Sequence, residues 1–164
     1  MLARIFCVLV LCGGLPSTAL AQSQDAIDDH VVRELACSRL PSPTPTLLAL
    51  VRKGFIRVAD QKGADSLSCW SLRKPWSLKG LPIAGLCAFE EDEVLRAIDP
   101  KLHCRGPGTS PGVQLALYTK TDVARTREWA RRALGEGSRA KVQPDEGAVF
   151  EGLTEIRCSA WDVD

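Results

Sequence analysis

Five cysteines, at positions 37, 69, 87, 104 and 158, follow an apolar amino-terminal run, and their oxidation state constrains this chain more than any other feature. The run itself decides that state. Met1-Leu2-Ala3-Arg4 carries one positive charge, Ile5 to Leu15 is apolar, Pro16 and Ser17 interrupt it, and Ala19-Leu20-Ala21 forms the small-x-small pattern that a signal peptidase reads. The run is too short to cross a bilayer as a helix, which needs ~20 apolar residues. Leu11 stands before Cys12 where a lipoprotein would carry a small residue, so a soluble product is expected. Residues 1–21 therefore read as a secretory signal peptide and residues 22–164 as one mature domain, periplasmic or secreted, with no membrane span.

Export makes disulfides the default. An odd number of cysteines allows at most two bridges and leaves one thiol. Alternation places Cys87 on a strand face with Leu81, Ile83 and Phe89, Cys158 with Ile156 and Ala160, and Cys69 with Leu67. Cys37 ends an amphipathic helix. Cys37, Cys69, Cys87 and Cys158 are thus expected to form two bridges, with the pairing open, and Cys104, beside a Gly/Pro loop, to be the odd thiol. No pair has CxxC spacing, so neither a thioredoxin-like site nor a zinc knuckle is signalled. No metal or cofactor is expected.

The apolar periodicity gives an α+β domain. Ile27, Val31 and Leu35 repeat as one helix face over 25–37, a second helix starts near Pro45 and stops at Gly54, and a third runs from a Thr121 or Asp122 cap to Leu134 before Gly135. A fourth, short helix is expected over 91–98. Ser66–Leu72 and Leu81–Phe89 read as a hairpin joined by a basic loop over 73–80, and Phe55–Val58, Val113–Thr119, Ala148–Phe150 and Thr154–Trp161 read as further strands. Short connections favour antiparallel pairing. The expectation is a single disulfide-stabilised domain, with a sheet of about four to six strands packed on three to four helices.

Charge excludes one large class. The chain carries 21 Lys and Arg against 20 Asp and Glu, and the signal segment removes one arginine, so the mature protein is balanced. A nucleic-acid binder usually shows a basic excess that replaces phosphate counterions. The charges are unevenly placed, however: residues 90–99 are acidic, and residues 120–141 hold seven bases against three acids. Two solvated helix faces explain this; complementary patches in a homodimer or with a protein partner are the sharper alternative.

The chemical motifs are weak. Gly108-Thr109-Ser110-Pro111-Gly112 matches G-x-S-x-G. Yet Pro111 has no N–H for an oxyanion hole, and both histidines, His30 and His103, precede the serine. Arg105, with Thr109, Ser110 and the glycine amides, forms a candidate anion or carboxylate contact. Trp76, in the basic 73–80 segment, is a candidate interface anchor, or alternatively a plug at the end of the sheet. Glu90, Glu91, Asp92 and Glu93 supply carboxylates of the kind glycosidases use, although acids are ordinary at a helix start. Trp70, Trp129 and Trp161 are expected in the core or at its boundary. Together these features favour a non-enzymatic binding, inhibitor or accessory module, with a carboxylate hydrolase or a protein dependent on the Cys104 thiol as the alternative.

Overall fold

Six strands form one antiparallel sheet in the order β1-β2-β3-β4-β6-β5 in a computed structural model that describes residues 18–64, 67–90 and 112–163. The strands are β1 (Lys62–Ala64), β2 (Leu67–Leu78), β3 (Leu81–Phe89), β4 (Gln114–Thr119), β5 (Lys141–Pro144) and β6 (Thr154–Ser159). Among the described residues there are three α-helices: α1 (Thr18–Leu35), α2 (Pro43–Arg52) and α3 (Val123–Leu134). The expected helix over 91–98 lies outside the described residues.

One sheet face carries the main core. Ile27, Val31 and Leu35 of α1, Leu47 and Leu50 of α2, and Trp129 and Ala130 of α3 meet Trp70, Leu86, Leu115, Leu117 and Ile156 of the sheet. The helices form for local reasons. Asp122 accepts from Arg125 N–H at 3.0 Å to cap α3, and Gly135 leaves the helix at φ 93°. Pro43 opens α2, where a missing N–H costs nothing. α1 starts ahead of its expected Asp25 cap, and the expected cut after Ala21 falls within it.

The second sheet face is also covered. Cys69, Cys87, Ala116 and Tyr118 pack under Phe150, with Val149 and Leu153 beside it. β4 is therefore buried along its whole length. The two disulfides lie on opposite sides of the sheet. Cys37–Cys158 ties the end of α1 to β6, and Cys69–Cys87 joins directly opposed positions of β2 and β3. Cys37 takes a left-handed conformation (φ 57°) in the turn after α1. Cys104 lies outside the described residues.

Several local expectations are corrected. The basic 73–80 segment is no loop: β2 continues to Leu78, and Lys79 (φ 45°) and Gly80 (φ 86°) make a two-residue hairpin turn. Residues 55–58 are not a strand; Val58–Asp60 is a single 3-10 turn and β1 follows it. Ala148–Phe150 is a bend that folds over the sheet, and β5 lies earlier, at Lys141–Pro144. Cys87 does not share a face with Leu81 and Ile83. The register shifts between Ser71 and Trp76, and it leaves Leu81 and Ile83 in the helix-side core while Cys87 faces Phe150. Trp161 is 77 % exposed, because β6 ends at Ser159 and a 3-10 turn replaces the strand alternation.

Candidate functional site

The shift in β2 also creates the most distinctive surface. Ser71 opposes Gly85 and Trp76 opposes Ile83, so the four residues Leu72–Pro75 face Ala84 alone. Pro75 has no N–H to give a ladder. The Arg73 N–H turns away and donates to the Phe55 carbonyl at 2.9 Å. Lys74 follows it: its Nζ donates to the Lys53 carbonyl at 2.6 Å and lies 4.4 Å from the centre of the Phe55 ring. The bulge is thus pulled toward the end of α2, and the sheet opens between β2 and β3.

The opening is a groove of about 490 Å³. Leu72 and Ala84 supply apolar surface above the buried Ile83, Pro75 and Pro82 stiffen the walls, and Arg73, Lys74 and Lys120 supply positive charge. Among the described residues, no acidic side chain lines it. Arg73 lies 3.7 Å from Asp60, whose carboxyl is held below its usual range, first by its hydrogen bond with Arg57. Lys120, just beyond β4, makes no hydrogen bond or ion pair among the described residues.

A second cavity, about 240 Å³, lies on the outer sheet face beneath residues 145–150, with the Cys69–Cys87 bridge in its lining. Tyr118 and Glu155 are directly opposed on β4 and β6. The phenol donates to Glu155 Oε1 at 3.1 Å, Gln143 Nε2 donates to Oε2 at 3.0 Å, and Arg157 Nη1 is 3.6 Å from Oε2. Burial, and next the Glu155 charge, push the phenol well above its usual range. Each carboxylate oxygen already accepts a hydrogen bond and the phenol is held neutral. This cluster is a hydrogen-bonded network in the wall of the cavity on the second face.

Two other acids, Glu90 and Glu34, hold structural positions. Glu90 accepts from Thr44 N–H at 2.8 Å, Thr44 Oγ1 at 2.6 Å and Ser42 Oγ at 3.1 Å, which satisfies the amino end of α2. Glu34, 1 % exposed, accepts from Ser42 N–H and pairs with Arg39 at 3.1 Å. Glu91, Asp92 and Glu93 lie outside the described residues. Among the described residues, no group of three His, Cys, Asp or Glu side chains is placed to hold a metal ion.

Trp76 sits at the end of the core. It is 4 % exposed, its Nε1 donates to Asp28 Oδ1 at 3.0 Å, and its ring lies 5.9 Å from that of Phe55. A side chain so buried offers no contact surface, because β2 continues through this position and turns the indole inward. Arg105, Thr109, Ser110 and His103 lie outside the described residues. His30 is half-buried on α1. Lys120 and Pro82–Ala84 escaped sequence reasoning because they become neighbours of Arg73 only through strand pairing. Pro75 within an alternating apolar run was the available signal of a break in the ladder.

Fold and groove define a small, doubly disulfide-bridged α+β domain that presents a cation-rimmed opening in its sheet. No family model, curated protein or solved structure matches this chain.

Proposed function

We propose that this chain is an exported, non-enzymatic binding module, of the inhibitor or accessory kind, and that the opening between β2 and β3 is its contact site. One observation carries the reading: Arg73, Lys74 and Lys120 surround an apolar floor, with no acid among the described lining residues. Its volume, about 490 Å³, falls in the range of ligand-binding clefts. The engagement of Glu34, Glu90 and Glu155 in helix caps and buried networks supports a scaffold in place of acid–base chemistry.

The test has two arms. Native mass spectrometry of the exported protein should retain a bound partner or ligand, and the same protein should turn over no ester, glycoside or peptide substrate. Turnover that disappears in Glu155→Gln would overturn the binding reading. Export is checked by amino-terminal sequencing of protein recovered from the periplasm or medium. Gln22 is the expected first residue, and an intact Met1 confined to the cytosol would remove this part.

A further inference from the structure

Resting on that reading, we infer that the groove takes an acidic, extended segment of a partner protein. The whole chain is nearly balanced, with 21 basic and 20 acidic residues, yet three cations line this opening, and among the described residues only Asp60, outside the lining and 3.7 Å from Arg73, pairs with one of them. They come from both banks: Arg73 and Lys74 from the bulge of β2, and Lys120 from the turn after β4.

The shape selects an extended chain. The groove lies where two paired strands part and pair again, so an extended segment can lie there alongside the strands. An extended segment alternates its side chains with period two. Apolar residues then face Leu72 and Ala84 while acidic ones reach the rim. This is the division of labour seen when strands recognise strands. The site is also pre-formed. Pro75 and Pro82 stiffen it, and the bulge is held by Arg73 N–H on Phe55 and Lys74 Nζ on Lys53, so little ordering opposes binding.

The experiment uses the full mature protein and a fluorescein-labelled octapeptide of alternating Glu and Leu, followed by fluorescence anisotropy. A Lys–Leu peptide and octanoate serve as controls. The Glu–Leu peptide should bind with an affinity that falls as salt rises, the Lys–Leu peptide should not bind, and octanoate should not displace the bound peptide. Arg73→Glu with Lys120→Glu should weaken binding at least tenfold. Lys120→Glu alone, at a side chain with no described partner, should weaken it severalfold without changing the thermal midpoint. Unchanged binding in these variants, or equal binding of the Lys–Leu peptide, overturns the inference. Complete displacement by octanoate reassigns the groove to small amphiphilic anions. A natural partner held equally by wild type and the double variant removes the groove but leaves the binding-module reading. Catalytic turnover with no partner removes the reading itself.

Discussion

The ring of Phe150 lies directly against the backbone of Gly85. A Cβ built on Gly85 would stand 2.3 Å from Phe150 Cζ and 2.9 Å from the Trp70 carbonyl oxygen. The same ring stacks on Tyr118, with centroids 4.3 Å apart. A glycine in mid-strand is thus explained by close approach of a side chain from a distant bend, not by an unusual φ.

Gly85→Ala should therefore lift Phe150 off the sheet and destabilise the fold by about 1–3 kcal/mol, as overpacking does. Urea denaturation should show the loss, with weakened near-ultraviolet dichroism from the Tyr118–Phe150 stack. Gly85→Ala combined with Phe150→Leu should recover part of it. An unchanged midpoint in the single variant would contradict the packing.

The two disulfides should differ in strength. Cys37–Cys158 spans a sequence separation of 121 residues and Cys69–Cys87 one of 18. Loop-closure entropy then makes loss of the first bridge costlier by roughly 1.5–2 kcal/mol. Paired substitutions Cys37→Ala/Cys158→Ala and Cys69→Ala/Cys87→Ala, compared by chemical denaturation, test this order. The reverse order would mean that packing around Cys69–Cys87 outweighs chain entropy.

Tyr118 is the chain's one tyrosine, so absorbance near the phenolate band reads it alone. Burial and Glu155 raise its pKa in the fold, whereas in the unfolded chain it titrates near ~10. The neutral phenol is thus bound more tightly by the folded state. Its contribution to stability is fully present below pH ~10 and is lost as pH rises beyond that value. No phenolate should appear until the protein unfolds in alkali. A smooth titration near pH ~10 with the fold intact would refute the buried pairing with Glu155.

Trp76→Phe should cost about 1–3 kcal/mol, since Asp28, itself 6 % exposed, loses the indole donor. Asp28→Ala in the Trp76→Phe background should cost less than in the wild type. A double-mutant cycle by urea denaturation measures the coupling. Full additivity would mean that the hydrogen bond contributes nothing.

Sequence by itself determined the parts that local rules govern. The α+β class, the β2–β3 hairpin, a cap at Thr121 or Asp122 and the Gly135 stop of α3, and the burial of Cys37, Cys69 and Cys158 follow from period, capping and turn chemistry, which act between near neighbours. Tertiary structure alone decided which cysteines meet, that Trp76 is buried on Asp28, and that Cys87 and Ile83 face opposite ways. For the β2–β3 register the physical reason is one long-range hydrogen bond and its setting. With Arg73 N–H donating to Phe55 and Pro75 unable to donate at all, β2 leaves the ladder for four residues. That departure inverts the alternation of β3 and opens the groove to which Lys120 is brought, and no local pattern encodes a partner 18 residues away.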